Sequence, residues 1–165
     1  MMGFYERRIL PHIINLAMNT KVLKEERTRC LRDVKGVVLE IGFGTGLNLP
    51  HYPPTVTKIV GVDPSETSAK LARKRIAAAP VPVETIGLSA EKLPVPDGSF
   101  DSIVSTFTLC TIPDVVSALS EVRRVLRPGA PFVVSFSNRC FPTKAVAVWP
   151  KEAALQKFVF PRPKA

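Results

Sequence analysis

The sequence predicts one α/β domain built on a mostly parallel, doubly wound sheet with helices on both faces. Three observations predict it. From Val37 onward, short apolar runs alternate with amphipathic segments of helical spacing. The runs are continuously apolar, as strands are when covered on both faces. Glycines and acids follow the ends of the runs, where ligands collect in sheets of this kind.

Taken in order, Phe4 to about Leu31 places apolar residues at helical spacing (Ile9, Ile13, Leu16, Ala17) with charges between, which reads as one or two amphipathic helices. Strands are expected at "VVLEI" (37–41) and "KIVGVD" (58–63), followed by a helix "SETSAKLARKRIAAA" (65–79) and a weak strand "PVETI" (82–86). Ser65 is the expected N-cap of that helix, and Pro64 fixes the turn before it. A loop rich in proline and acid (89–100) leads to the strand "DSIVSTF" (101–107), a helix near 114–126 and the strand "PFVVSFS" (131–137). The chain thus divides into N-terminal helices (1–36), an α/β core (37–138) and a short, basic, proline-containing C-terminal segment (139–165).

Composition narrows the function classes. The 165 residues fit one domain, and folding at that size buries about 70% of the unfolded surface. No apolar run reaches the roughly 18–20 residues that cross a bilayer, and the N-terminus lacks the small-residue site of a secretory signal. Cys30, Cys110 and Cys140 are scattered without a CxxC pair, which points to reduced thiols and a cytoplasmic setting, and to no metal site. The net charge of +9 is concentrated at the ends. Residues 1–36 carry eight basic and four acidic side chains, 139–165 carry six and one, and the section between has nine of each. A basic cleft of the kind that tracks phosphates is therefore not expected, and neither is specific nucleic-acid binding. Weak attraction of the two ends to an anionic membrane surface is the better use of that charge.

The chemistry lies at the strand ends. After the first strand come Gly42, Gly44 and Gly46, spaced G-x-G-x-G, with Glu40 two residues ahead. Glycine lets the backbone turn sharply and approach a ligand closely. The dinucleotide fingerprint G-x-G-x-x-G needs its third glycine at position 47, which is Leu47 here. A carboxylate at position 40 repels a pyrophosphate and suits an ammonium group, which favours a cofactor with an amino-acid tail over NAD. Asp63, at the end of the second strand, can accept both hydrogen bonds of a ribose diol, a feature that by itself also fits NAD. After the third strand, the backbone near Ser89 and Ala90, together with Glu91, can meet an adenine edge.

Four segments, "LEIGFGTGLNLP", "GVDPS", "SAEKLPVPDGSFDSIVSTFTLCTIPD" and "VRRVLRPGAPF", resemble the class I S-adenosylmethionine-dependent methyltransferases in order and spacing. The similarity is strongest to small-molecule enzymes of the ubiquinone/menaquinone-biosynthesis type. Within these, "FYERRILP", "SAE" and "STFTLCTIPD" are similar to the thiol S-methyltransferase branch. The resemblance implies a Rossmann-like fold, S-adenosyl-L-methionine as cofactor and a small thiol, phenol or quinol as acceptor. It assigns Glu40, Gly42, Gly44 and Gly46 to the methionine end and Asp63 to the ribose. Pro64, Ser65, Ala90 and Glu91 fall beside the adenine, and Thr106 and Phe107 border the sulfonium and the acceptor. Many relatives carry Asp where this chain has Ser89.

Methyl transfer from a sulfonium is an in-line displacement that asks the protein mainly to align donor and acceptor. No catalytic side chain stands out. Cys110, His51 and Tyr5 are the weak candidates, with packing the plainer role for Cys110 and Tyr5 and a surface loop for His51. The "RKR" at 73–75 reads as a solvated helix face, and Asp97 and Asp101 as turn residues. The family normally adds two strands after the fifth, and both are expected to be missing, since "KFVF" is too short to supply them. "NRCFPTKAVAVWP" is expected to turn into a short helix, the "PRPKA" tail to be disordered, and an exposed fifth-strand edge would favour a homo-oligomer. The alternatives are a catalytically weak cofactor-binding module and, drawing on the basic ends, an RNA or protein methyltransferase.

Overall fold

A computed structural model describes residues 9–135 and the backbone of 155–159. The N-terminal segment forms two helices, α1 (Leu10–Ala17) and α2 (Lys21–Leu31). The core then runs β1 (Gly36–Ile41), β2 (Val56–Val62), α3 (Glu66–Ala77), β3 (Val83–Ile86), β4 (Ser102–Thr106), α4 (Val115–Val125), β5 (Pro131–Ser135) and β6 (Leu155–Val159). The order across the sheet is β3-β2-β1-β4-β5-β6. The first five strands pair in parallel, and β6 runs antiparallel to β5, with Phe132 opposite Phe158. Strand order reverses between β1 and β4, so the carboxyl ends of these two strands flank the crevice where ligands sit in doubly wound sheets.

Two apolar clusters sandwich the sheet. Along β1, Val38 points to one side and Leu39 and Ile41 to the other, as the two-residue period of a strand requires. The first side joins Leu31 of α2 and Ala72 of α3, with Val104 and Val133 from the neighbouring strands. The second joins Ala118, Val122 and Val125 of α4 with Ala90, Leu93 and Phe100 of the 87–101 loop. Helix starts follow capping chemistry. Ser65 accepts a hydrogen bond from the Ser68 N–H at 3.2 Å, and Asp114 accepts one from Ser117 at 3.0 Å.

Two expectations change. Of the two strands expected to be lacking beyond β5, one is there: β6 takes in Lys157, Phe158 and Val159, and its backbone covers the β5 edge. The motive for oligomerisation from a bare fifth strand goes with it, because that edge already has its hydrogen-bond partners. Second, Arg75 of "RKR" is not solvated surface. It lies half-buried and donates to the Thr45 carbonyl of the glycine loop at 2.9 Å. The N-terminal helices expected from their spacing are there as α1 and α2, and the apolar residues of the first face solvent: Ile9, Ile13 and Leu16 are 43%, 48% and 79% exposed. Helical spacing marks an apolar face without saying what covers it. Asp97 and Asp101, expected to serve the turn and the strand start, bond to distant segments: Asp101 accepts from the Val37 N–H at 2.8 Å and pairs with Arg127, and Asp97 pairs with Arg124. The expected helix after "NRC" and the "PRPKA" tail lie outside the described residues.

Candidate functional site

The glycine loop begins where β1 stops. The Gly42 and Phe43 N–H groups both donate to the Val62 carbonyl, at 2.9 and 3.1 Å, which pins the loop to the end of β2. Gly42, Gly44 and Gly46 all have positive φ, at 71°, 55° and 74°, where a side chain is strained. Their surroundings differ. A Cβ on Gly42 would lie 2.0 Å from the Thr108 hydroxyl, whereas one on Gly44 would meet only the Gly42 carbonyl oxygen, at 3.7 Å. Phe43 between them is buried, and its ring occupies the room left by Gly61.

Asp63 sits beside this loop and holds it. One carboxylate oxygen accepts from the Gly44 N–H at 2.9 Å, and the other from the Ser65 N–H at 2.8 Å. A carboxylate offers about four lone-pair directions, so acceptor capacity remains on both oxygens. Burial raises the Asp63 pKa, opposed by the two backbone hydrogen bonds. Pro64 is exposed and Ser65 half-buried at the start of α3.

Glu40 lies deeper. It is 1% exposed, on the α2 and α3 face of β1, in a polar cluster that sequence reading did not anticipate. Tyr52 donates its hydroxyl to one carboxylate oxygen at 2.7 Å. The Asn48 amide donates to the other at 2.8 Å and to the Thr106 hydroxyl at 2.9 Å. Desolvation pushes the Glu40 pKa up to about 7, against the pull of Tyr52, Asn48 and the nearby Arg27. Thr106 closes the cluster from the end of β4, and Phe107 follows in the left-handed region at φ 57°, its N–H bonded to the Ser135 carbonyl at 2.7 Å. Phe107 is the one non-glycine residue with positive φ among the described residues. Such a bend at a strand end is a feature of functional positions.

The N-terminal helices reach into this end of the sheet. The Arg27 guanidinium stands over the Phe107 ring, 5.5 Å from its centre, and the side chain is buried. Asn15 of α1 accepts from the Thr45 hydroxyl at 2.8 Å, and Thr28 of α2 meets the His51 Nδ1 at 2.8 Å. His51 is therefore tied to α2 instead of lying free on a surface loop. Burial, then Arg27 and Lys24, lower its pKa from the ordinary imidazole value. On the other flank, Ala90 is buried in the core, and Glu91 accepts from the Ser89 hydroxyl and from the Asp114 N–H, both at 2.9 Å. Cys110 lies half-buried in the short turn Leu109–Thr111 that follows Phe107. Tyr5 lies outside the described residues.

The strand ends thus gather the glycine loop, Glu40, Asp63, Thr106 and Phe107. The residues missed from sequence are Arg27, Asn48, Tyr52 and Arg75, with Asn15 and Thr45. Their partners are 8 to 58 positions away for Asn48 alone, and no local pattern links them. The "LNLPHY" that trails the glycines was the available signal: a polar Asn and Tyr at the foot of a loop beside a buried acid need hydrogen-bond partners. A shallow apolar recess of about 340 Å³, lined by Leu49, Pro53, Pro54, Val56, Pro80, Val81 and the Tyr52 ring, lies at the other end of β2 from Asp63.

Comparison with known proteins places the fold in a family. The methyltransferase domain family model matches residues 39–134. The phosphatidylethanolamine N-methyltransferase of Cereibacter sphaeroides is 34% identical over 84% of this chain and 68% of its own length. The ubiquinone/menaquinone biosynthesis C-methyltransferase UbiE of Geobacter sulfurreducens is 34% identical, over 67% of this chain and 46% of that protein. Human thiol S-methyltransferase TMT1A is 39% identical, over 58% of this chain and 40% of that protein. The chain therefore spans less than half the length of the last two. An S-adenosylmethionine-dependent methyltransferase from Aquifex aeolicus, at 23% identity, shares the fold with a TM-score of 0.64 over 76% of this chain and 72% of its own. The chain belongs to the class I S-adenosylmethionine-dependent methyltransferases, among those of small-molecule type.

Proposed function

We propose that this chain transfers a methyl group from S-adenosyl-L-methionine to a small-molecule acceptor of the thiol, phenol or quinol class. The observation that carries the reading is Glu40, a carboxylate buried at the crevice with its pKa pushed up to about 7 and no cation bonded to it among the described residues. A buried acid of that kind is completed by an ammonium group. The chemistry of the wall fits: Asn48 Oδ1 is buried without a partner among the described residues, and a Cβ on Gly44 would meet nothing closer than 3.7 Å.

In this reading Glu40 and the loop of Gly42, Gly44 and Gly46 receive the methionine end. Asp63 uses its remaining lone pairs for the ribose diol. Pro64, Ser65, Ala90 and Glu91 border the adenine, with Ser89 and Glu91 acting as a hydrogen-bonded pair where relatives carry Asp. Thr106 and Phe107 border the reacting centre. The sulfonium supplies an already activated methyl group, so the protein's contribution is alignment and exclusion of water. The names of the relatives cover nitrogen, carbon and sulfur acceptors, so the element methylated is set outside the shared core. A thiol needs least help, since it ionises near neutral pH and His51 is engaged with Thr28.

Titration calorimetry with S-adenosylmethionine and S-adenosylhomocysteine tests the cofactor, and absence of binding by either at millimolar concentration would overturn the reading. A methyl-transfer screen over small thiols, phenols and quinols tests the activity. Cofactor binding without transfer to any of them would support the binding-module alternative. Asp63→Ala is expected to weaken S-adenosylhomocysteine binding about 10-fold or more, since a hydrogen bond to a charged group contributes roughly 1.5–3 kcal/mol. Unchanged affinity would remove Asp63 from the ribose.

The same reading places the chain against an anionic membrane surface, weakly. Support comes from the surplus of positive charge in 1–36 and 139–165 and from exposed Ile13, Ile14, Leu16 and Val22 on the N-terminal helices. No helix among the described residues is long and apolar enough to cross a membrane. Salt-sensitive co-sedimentation with phosphatidylserine vesicles is expected. A chain that stays in the supernatant at low salt, or runs as a homo-oligomer with these residues covered, would dismiss surface binding.

A further inference from the structure

Arg27 is the cation of this site that no motif contains. It comes from α2, ahead of the sheet, yet it is only 5% exposed. Its guanidinium lies over the Phe107 ring, and Nη1 donates to the Leu23 carbonyl at 3.3 Å. Glu40 is near enough to feel this charge, but its two oxygens take Tyr52 and Asn48 instead. Arg27 Nε is left buried, with no hydrogen-bond partner among the described residues. A buried donor left unpaired costs about 1–3 kcal/mol, and more on a charged group.

A second unused donor lies nearby. Ser135 ends β5 opposite Thr106, is buried, and holds the Phe107 N–H on its carbonyl. Its hydroxyl has no hydrogen-bond partner among the described residues beyond the approach of the Cys30 thiol, a weak one. Cys30 stands one helical turn beyond Arg27 on α2, so Arg27, Cys30 and Ser135 share one side of the sheet, around Phe107. The cofactor reading puts the methionine end and the ribose at Glu40, the glycine loop and Asp63, and the acceptor beside Phe107. The unused donors are on the acceptor's side, and a cationic N–H with a hydroxyl is a donor set for an anion.

Charge gives a separate argument. S-adenosylmethionine brings a carboxylate, an ammonium and a sulfonium, one positive charge in sum, while ionised Glu40 and Arg27 cancel. A buried surplus of positive charge is satisfied by an acceptor that carries one negative charge.

We propose that Arg27, with the Ser135 hydroxyl beside it, binds the methyl acceptor as an anion, a thiolate or a phenolate. This rests on the cofactor reading above and names the form in which the acceptor enters, its proton having gone to solvent. The acceptor's lone pair forms the bond to the methyl carbon as the carbon–sulfonium bond breaks, and the bonding pair stays on the cofactor sulfur. The acceptor leaves as a neutral thioether or ether that no longer pairs with Arg27. The contact that selects the anion thus also lets the product go.

The test is equilibrium binding to the full chain at pH 8 with sinefungin, which carries a cationic amine where the cofactor has its sulfonium and cannot donate a methyl group. The probes are 4-nitrothiophenolate and 4-nitrophenolate, followed by absorbance, and their neutral S-methyl and O-methyl ethers. The parent is expected to bind one or both anions about 10-fold or more tighter than the matching ether. Arg27→Met should abolish that preference and hold sinefungin within about twofold of the parent, and Arg27→Lys should recover part of the preference. Ser135→Ala should weaken the anion about threefold. Arg27→Gln, which keeps a donor for the Leu23 carbonyl, is the second uncharged variant, and thermal melting without ligand identifies any variant that does not fold. A preference that survives the loss of charge, or a parent that binds sinefungin and shows no preference, overturns the proposal. Equal weakening of sinefungin and the anions would make Arg27 a cofactor-binding or structural residue and overturns it as well. Unchanged affinity in Ser135→Ala would remove Ser135 from the pair. If the parent did not bind sinefungin, the cofactor reading itself would fail, a distinct outcome.

Discussion

Replacing Glu40 with glutamine is expected to weaken S-adenosylhomocysteine binding 10- to 100-fold while leaving the ligand-free chain at least as stable as the parent at pH 8. The two effects have one cause. Glu40 is fully buried, and desolvation pushes its pKa from an ordinary 4.5 to about 7. The folded state therefore binds this proton more tightly than the unfolded chain does. Between about pH 4.5 and 7 the unfolded state carries fewer protons at this position, so stability falls as pH rises and levels off above 7. A shift of that size corresponds to about 3 kcal/mol. Glutamine stays neutral and removes this slope, at the cost of one acceptor: its single oxygen can receive either the Tyr52 hydroxyl or the Asn48 amide, and the other partner must turn. In the proposed complex the cofactor's ammonium reverses the balance in the parent by favouring the ionised carboxylate. Binding near pH 6 should release a proton, visible as a dependence of the calorimetric enthalpy on buffer ionisation. Chemical denaturation of parent and variant from pH 4.5 to 8 supplies the other half. Parallel pH profiles for the two proteins would show that Glu40 does not titrate in this range.

Gly42→Ala is expected to destabilise the fold severely, whereas Gly44→Ala should fold and lose cofactor. Both positions have positive φ, and a left-handed residue with a Cβ costs roughly 1–2 kcal/mol at either. At Gly42 the new methyl would also lie 2.0 Å from the Thr108 hydroxyl and 2.1 Å from its methyl group. Thr108 cannot retreat freely, because its hydroxyl donates to the Thr106 carbonyl at 2.9 Å and its carbonyl accepts from Thr111 at 2.8 Å. Overpacking of this kind adds about 1–3 kcal/mol, a large part of the 5–15 kcal/mol that keeps a domain folded. At Gly44 the methyl meets no atom closer than 3.7 Å, so strain alone remains. In the proposed complex the methyl would instead occupy the space given to the cofactor. Melting temperatures should fall sharply for the first variant and by a few degrees for the second, with S-adenosylhomocysteine binding lost in the second. A Gly44 variant that binds at the parental affinity would show that the cofactor does not approach this turn.

The pair also explains why a glycine motif reads so well from sequence. Gly42, Gly44 and Gly46 are required by backbone geometry within five residues, and local geometry leaves a local signature. The same holds for the Ser65 cap, whose bond to Ser68 spans three residues, and for the apolar strands, whose covering on both faces is written in their own composition. Asp63 was legible because it ends such a strand.

Other features are not local. Glu40 was legible as an acid in an apolar run, but its burial, its raised pKa and its partners were not. Asn48 reaches it only after the chain has turned through the glycine loop, and Tyr52 only after the short Leu49–His51 helix that follows. Arg75 was indistinguishable from its neighbours Arg73 and Lys74, because helical phase alone decides which of three adjacent cations faces the glycine loop. The α1 stripe is the converse case, a helix legible from its period whose apolar face the described chain leaves exposed.

By itself, then, the sequence determined the sheet and its winding, the cofactor-type loop and the two acids that flank it, because each depends on residues a few positions apart. Only the tertiary structure decided that β6 covers the β5 edge, and that Arg27, Asn48, Tyr52 and Thr106 converge on Glu40. Those contacts join segments distant in sequence. Their energies come from burial and hydrogen bonding that exist only once the sheet has formed.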